Sequence, residues 1–478
     1  MRKQLSRNCN GAGSKGVALI TVTLLLLVIV PMMGLAVDGG ILYLLKARLT
    51  QAVDSAALSG ARSLSRGQDI GSQTASATTT AINYFNANFA ANYWGCTVSV
   101  PVVSVTQNAT SMRLVSVSAS ATSPLYFLRL IGKQTATIAA SALATRRDVN
   151  VMLVLDRSSS MGAAGALPTT AGNNNGQWPV LNAATSFVNQ FAVGRDNVGL
   201  VVFGGSYFIA NPTLNFQPAI VNDISQIVSS GNTGTSQALW VAYNALAQLN
   251  QPGALNVILF FTDGLPNGIT GDFVKPVDLR SNPATCAPLA TTLQGWIAQI
   301  NGFSDQGCPG ASCVNGLFAP GPLASVSSPD GAVIPAPGCQ FVGNDKNVYK
   351  DFKAMPSQDI YGNQTNPANP YKIVDLTAIG KPSQIGAASS NAADQAAQRM
   401  RAGTLSNIVP LIDSVGFVDS PGAPEKPDPI LMNRIANTIN SPIYDSTKPT
   451  GEFILAADQD QLQAAFLQIA SQILRLSQ

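Results

Sequence analysis

Between Val17 and Val37 the chain runs for 21 residues, VALITVTLLLLVIVPMMGLAV, without one charged side chain. At a rise of about 1.5 Å per residue, a helix of that length spans about 30 Å, the hydrocarbon thickness of a bilayer. Pro31 and Gly34 fall near its end, where membrane helices tolerate a kink. Arg2, Lys3, Arg7 and Lys15 precede the run with no acid among them, and Asp38 opens the other flank. The positive-inside rule then puts the N-terminus in the cytoplasm and everything after residue 38 outside. A cleaved secretory signal is the competing reading, although the run is longer than a usual signal core. The following residues favour an anchor that stays. Leu42, Leu45, Leu49, Ala52 and Ala56 recur at spacings of three and four, with neither proline nor glycine until Gly60. This predicts a helix that continues straight out of the membrane, its stripe packed on its own domain or used for self-association.

Composition removes several function classes. The 28 basic and 25 acidic residues leave a net charge of +3 with no long run of either sign, so the concentrated basic face of a nucleic-acid binder is missing. The 478 residues include no histidine. That eliminates Ser-His-Asp and Cys-His nucleophile systems and histidine-bearing zinc sites. Of six cysteines, Cys9 precedes the apolar run, Cys96 stands alone, and Cys286, Cys308, Cys313 and Cys339 share one loop-rich stretch. In an exported segment these four predict disulfides, with three possible connectivities. A four-thiolate zinc site is the alternative.

The segment from Gly16 through Val37–Arg62, VDGGILYLLKARLTQAVDSAALSGAR, resembles the N-terminal region of TadG-like proteins of Flp (tight adherence) pilus assembly. The family's Leu-Gln-x-Ala-x-Asp-x-Ala-Ala-Leu pattern here reads Leu49-Thr50-Gln51-Ala52-Val53-Asp54-Ser55-Ala56-Ala57-Leu58. Pilin-like relatives cleaved after a glycine carry Glu five residues on; Thr21 stands there after Gly16. The resemblance implies a single-pass protein of the bacterial inner membrane, involved with pilus or pilus-assembly components. Beyond it, a helical patch over about 74–91 and strand-like runs over 97–105, 112–122 and 135–145 predict a small α+β domain. Pro124 to Gly132 is similar to the Phe-x-Arg-Leu-x-Gly step of TadE/TadG-like proteins. The segment offers no cluster of reactive residues.

The chemistry-bearing part begins at Asp148. Asn150–Leu155 reads as a buried parallel strand and ends at Asp156-Arg157-Ser158-Ser159-Ser160, a D-x-S-x-S sequence. A second buried strand, Asn256–Phe261, ends at Thr262-Asp263-Gly264, and Gly231–Thr235 leads into a helix over 236–249. In an open parallel sheet, ligands sit beyond the carboxyl ends of the strands where the strand order reverses. If the two strands are neighbours there, Asp156 and Asp263 converge on one crevice, and Ser158, Ser160 and Thr233 add hydroxyls. Such an all-oxygen set suits Mg²⁺, with Mn²⁺ or Ca²⁺ as substitutes, and leaves a position for an acidic ligand. A lone D-x-S-x-S is also an ordinary helix-capping turn. The three elements together resemble the metal-ion-dependent adhesion site of von Willebrand factor A domains. That resemblance implies Asp156, Ser158, Ser160, Thr233 and Asp263 as the metal ligands.

The remaining pattern predicts a doubly wound, Rossmann-like α/β domain over 148–478. Its helices fall at 180–191, 431–439 and 459–474, the last capped by Asp458, and its further strands at 198–203, 408–417 and 453–456. Two loops interrupt it, Gly162–Gln177 and a long insertion over about 266–390. The insertion's Pro, Gly and Asn content predicts irregular structure beside the metal, either extending or covering the site. The expected order is a cytoplasmic tail (1–16), a transmembrane helix (17–37), a stalk helix with a small α+β domain (38–147), and this domain. The expected function is a metal-dependent grip on a protein ligand that presents an acidic side chain, in pilus assembly, anchoring or adhesion. Metal-assisted hydrolysis at the same crevice, and a metal that only stabilises the fold, are the alternatives.

Overall fold

The computed structural model describes residues 14–64, 70–107, 112–172, 176–274, 292–298, 319–330, 354–378, 382–418 and 426–477. Cys9 and the four clustered cysteines lie outside the described residues, and with them the expected disulfides. Two compact units divide the chain, one of residues up to 108 with 113–146, the other essentially from Arg147 onward.

The first unit begins with α1 (Ser14–Ser63), a single helix of 50 residues. Its N-terminal half, from Leu19 to Val37, is exposed along nearly its whole circumference. A helix surrounded by apolar side chains needs an apolar surrounding medium, and α1 is long and apolar enough to cross a membrane. Beyond that half the predicted stripe is buried at Leu45, Leu49, Ala52 and Ala56, while Leu42 is half-buried. The stripe is therefore spent within its own unit. It packs against α2 (Ile70–Asn88), which presents Ala77, Ala81 and Phe85. The core continues onto an antiparallel sheet of β1 (Thr97–Val98), β2 (Val102–Gln107), β3 (Met112–Pro124) and β4 (Thr135–Arg147). Along β3, Val115, Val117, Ala119 and Ala121 face inward while the serines between them are half-buried, the period of two read in the sequence. The run expected as one strand over 97–105 is split, because Pro101 has no amide to give the ladder.

In the second unit the chain order is β5 (Val149–Asp156), α3 (Ser159–Ala163), α4 (Pro179–Val188), β6 (Asn197–Phe203), β7 (Tyr207–Thr213), α5 (Ala219–Ser225), α6 (Thr235–Leu249) and β8 (Leu255–Thr262). There follow β9 (Gly268–Val274), β10 (Thr292–Ala298), α7 (Pro382–Arg401), β11 (Leu411–Phe417), α8 (Pro429–Ala436), β12 (Phe453–Ala456) and α9 (Gln459–Leu476). Six strands form the sheet β12-β11-β8-β5-β6-β7, parallel except where β7 runs against β6. β5, β6 and β11 are buried along their whole length, as strands paired on both sides and covered on both faces should be.

Alternate residues of these strands feed two cores. Val151, Leu153, Leu155, Leu259 and Phe261 pack with α4 and α9 on one face. Met152, Val154, Ile258 and Phe260 pack with α6, α7 and α8 on the other. Phe466 of α9 meets Phe187 and Phe261 edge-on, with ring centroids 6.0 and 5.6 Å apart. Asp458 caps α9 by accepting from the Gln461 amide. At the start of the strands, the Asn150 amide donates to Asn256 Oδ1 (3.0 Å), and the Asn197 amide to Asn150 Oδ1 (2.8 Å). These paired amides tie β8, β5 and β6 together in register.

Three departures from the sequence reading are corrected here. β7 is an unpredicted antiparallel edge strand; its Pro212, tolerable only at an edge, disguised it. The insertion is not wholly irregular, since β9 and β10 pair antiparallel from Gly268↔Ala298 to Val274↔Thr292. It also ends earlier than 390, because α7 starts at Pro382 and buries Ala388, Ala392, Ala396 and Met400.

Asp413 of β11 is buried in the sheet and accepts the Glu452 amide (2.8 Å). Burial, followed by the Glu452 charge, pushes its carboxyl from the ordinary 3.8 up to about 7, against the lowering effect of that amide. The fold takes up a proton at this group between those two values, so its contribution to stability falls as pH rises through that window. Asp413→Asn keeps the acceptor oxygen. It is expected to flatten the decline in Tm between about pH 4 and 7, and to raise Tm above pH 7, in thermal denaturation followed across pH.

Candidate metal centre

β5 delivers Asp156 to the carboxyl edge of the sheet, where its side chain is wholly buried. β8 pairs with β5 up to Leu155↔Phe261, so Thr262 emerges beside Asp156 and donates its hydroxyl to Asp156 Oδ2 (2.6 Å). One residue further, Asp263 turns into the same space. The chain after Asp156 bends back tightly, with the Ser158 amide donating to Asp156 Oδ1 (2.7 Å).

Ser158 occupies the N-cap position of α3, yet its side chain makes no capping bond. Its hydroxyl instead pairs with that of Ser160 (2.9 Å) and lies at the limit of bonding, 3.5 Å, from Asp263 Oδ1. Ser160 donates to the same oxygen at 2.9 Å. The D-x-S-x-S hydroxyls are therefore aimed at the second carboxylate and not at the first amides of α3. Asp156, Ser158 and Asp263 are buried, and Ser160 is half-buried at the lip.

Thr233 arrives on the loop before α6. That loop is laced to the D-x-S-x-S turn. The Ser159 amide and hydroxyl both donate to Gly231 O (3.0 and 3.1 Å), and the Ser230 amide donates to Arg157 O (2.7 Å). Thr233 itself is held through its backbone. Its amide donates to Asn267 Oδ1 (2.6 Å), and its carbonyl accepts from the Asn267 and Gly268 amides, both at 3.1 Å. No hydrogen bond joins its side chain to the other four predicted residues. Its hydroxyl is buried and makes no hydrogen bond among the described residues. A buried hydroxyl without a partner costs about 1–3 kcal/mol, a penalty that an added ligand at the site would remove. Two carboxylates and three hydroxyls, one of them this unspent oxygen, are a donor set that fits a hard divalent cation.

The sequence reading overlooked the residues that support the centre. Thr262 was seen as part of a T-D-G step without a role. Arg157, the variable residue of D-x-S-x-S, is fully buried and forms an ion pair with Asp330 of the insertion (3.1 Å), and it also donates to Val326 O (2.9 Å). Asp330 further accepts the Gly205 and Ser206 amides, at 2.8 and 3.4 Å. Desolvation holds the Arg157 pKa down and the Asp330 pKa up, each partly offset by the other's charge. Gly231 has a φ of +82°, and a Cβ there would overlap the Asp330 carboxylate, so only glycine serves. Trp296 of β10 donates to Ser206 Oγ (3.2 Å) and Ala319 O (3.1 Å). Asn267, Trp296 and Asp330 thus bring the insertion against the loops that frame the site, as its exit from the sheet edge predicts. No sequence signal marked Asp330.

Residues 151–265 match the family model of the von Willebrand factor type A domain, and residues 16–63 that of the putative Flp pilus-assembly TadE/G-like family. The first span contains all five predicted ligands, and the second contains the apolar half of α1 and its buried stripe. Among solved structures, the chain is similar to the PilB minor pilin from Streptococcus sanguinis, at 15% identity and a TM-score of 0.37, over 80% of each chain. It is also similar to the vWF domain of the type V pili tip protein Mfa5 from Porphyromonas gingivalis, at 16% identity and a TM-score of 0.33, over 70% of this chain and 98% of that one. For the pilus adhesin SpaC from Lactobacillus rhamnosus GG the values are 15% and 0.35, over 79% of this chain and 34% of that one. Comparison with curated proteins returns no match. The two family matches give the chain a von Willebrand type A region in its second unit and a TadE/G-like segment along α1, which is long and apolar enough to cross a membrane.

Removing one partner of the buried Arg157–Asp330 pair leaves a charge without compensation. Asp330→Ala is expected to cost about 3–5 kcal/mol in denaturant unfolding. The double change Arg157→Met with Asp330→Ala should recover much of that loss.

Proposed function

We propose that the chain is a membrane-anchored, divalent-metal-dependent protein-binding module acting in assembly, anchoring or adhesion of a Tad/Flp-type pilus. In this reading α1 crosses the bacterial inner membrane, with the N-terminus in the cytoplasm and everything after residue 38 outside. The basic residues before the apolar run support that orientation. Asp156, Ser158, Ser160, Thr233 and Asp263 would hold Mg²⁺, with Mn²⁺ or Ca²⁺ as substitutes. When bound, the ion supplies a position for an acidic side chain of a protein partner. The observation that carries the reading is the Thr233 hydroxyl, buried and unspent beside a turn whose two serine hydroxyls already converge on Asp263.

The chain's own residues set the character of the grip. Asp156 and Asp263 supply the negative charge, and burial keeps competing water from them. Thr262 and the Ser158 amide fix the Asp156 carboxylate, so it needs little reorganisation to serve as a ligand. Ser160, half-buried, marks the side from which a partner approaches. A hydrolase at this crevice would need a general base besides the ligands.

Two measurements test this. Thermal unfolding of the full chain in detergent should show Mg²⁺ stabilising it by about 2.7 kcal/mol at about a hundredfold excess over Kd, an effect that Asp156→Ala and Thr233→Ala remove. Affinity capture from membranes should recover a pilus component with Mg²⁺ and lose it with chelator or with Asp156→Ala. Capture that persists under both treatments, alongside a retained thermal effect of the metal, would reduce the ion to a structural role. No thermal effect of any divalent cation would overturn the centre itself.

A further inference from the structure

Asp38 is the first charged residue beyond the apolar run, and it is buried. Its carboxylate accepts three successive backbone amides: Tyr126 (3.0 Å), Phe127 (3.0 Å) and Leu128 (2.7 Å). Desolvation opposes its charge, and the three amides outweigh that effect, holding its pKa below the ordinary carboxylate value. The bonds draw the step between β3 and β4, which contains a single 3₁₀ turn at Leu128–Ile131, onto the side of α1. Gly34, one helical turn earlier on the same face, is buried beneath it, and a Cβ on Gly34 would stand 2.5 Å from that of Phe127. Phe127 therefore lies level with a residue inside the uncharged run, about 4.5 Å short of its end along the helix axis.

The side chains of this step are sorted by polarity. Leu130 and Ile131 are 77% and 68% exposed, and Tyr126 and Phe127 are also exposed. Arg129 and Lys133 are exposed beside them, and Pro124 to Gln134 contains no acid. Apolar side chains at this depth, with aromatic rings and basic groups flanking them, match the boundary between acyl chains and phosphate headgroups, a layer about 5–8 Å deep on each side.

We propose that the turn from Tyr126 to Gly132 is a second membrane contact, in which Leu130 and Ile131 enter the edge of the acyl region of a phospholipid bilayer while Arg129 and Lys133 reach the headgroup phosphates. The proposal rests on α1 being the membrane anchor. Asp38 is the positioning residue, since it fixes the depth of the turn relative to the span. Its effect on the protein is to hold the small α+β unit against the bilayer at a fixed height.

Depth-dependent quenching tests this on the full chain reconstituted in phosphatidylcholine/phosphatidylglycerol vesicles, with and without acyl-chain-brominated lipid. Leu130→Trp and Val28→Trp each add one emitter to the four native tryptophans, and the unsubstituted chain serves as the baseline. The Trp at 130 is expected to emit to the blue of a water-exposed indole and to lose that emission in brominated vesicles, with Ile131→Trp behaving alike. In an Asp38→Ala background the loss at 130 should diminish while that at 28 persists. Quenching at 28 without quenching at 130 overturns the contact and leaves the anchor standing. A blue-shifted, unquenched emission at 130 that disappears on diluting the protein in lipid assigns the face to a second copy instead, and also overturns it. Quenching at neither position removes the anchor and the contact together.

Discussion

The register of β5 between β6 and β8 governs the rest of the second unit. Asn150, bonded to both Asn197 and Asn256, locks the starts of the three strands. From that point each strand advances in step, and β5 and β8 end with Asp156 and Thr262 abreast. A slip of one residue in either pairing would exchange the two faces of a strand whose every residue is buried. It would also carry Asp156 away from Thr262 and the Asp263 corner. The same constraint that fills both cores therefore gathers the carboxylates. The loops inherit its precision, since each begins within a residue or two of a strand held on both sides.

Much of this was legible because it repeats a period. Largely apolar runs marked β5, β6 and β8, and spacings of three and four marked α1 and α9. Asp458 announced its helix by the ordinary chemistry of an N-cap. The D-x-S-x-S, Thr and T-D-G steps identified a set of residues whose loops do meet, with the difference that Thr233 is joined to Asn267 and not to the other four. What escaped lacks a period or a local cause. β7 carries a proline and sits half-buried at an edge. α7 is rich in alanine and polar residues, and its burial comes from close packing on its neighbours, not from bulky side chains. Asp330 matters because Arg157 is buried some 170 residues earlier, and no pattern in either neighbourhood records that pairing.

The insertion shows how irregular chain can be made structurally definite. Asp330 fills the concavity left by Gly231 and binds the amides of Gly205 and Ser206, while Trp296 closes over Ser206. Polar groups on loops that would otherwise need water are thus satisfied by other loops. The rigid sheet supplies the position and the insertion supplies the surroundings. This division lets the surroundings vary in sequence while the carboxylates stay where the strands put them.

α1 stays one continuous helix from Ser14 to Ser63, carrying its apolar half through Gly39 and Gly40 into the buried stripe that begins at Leu45. If α1 spans a bilayer as proposed, any tilt it adopts to match a thicker or thinner membrane is carried along the same helix into the core of the first unit.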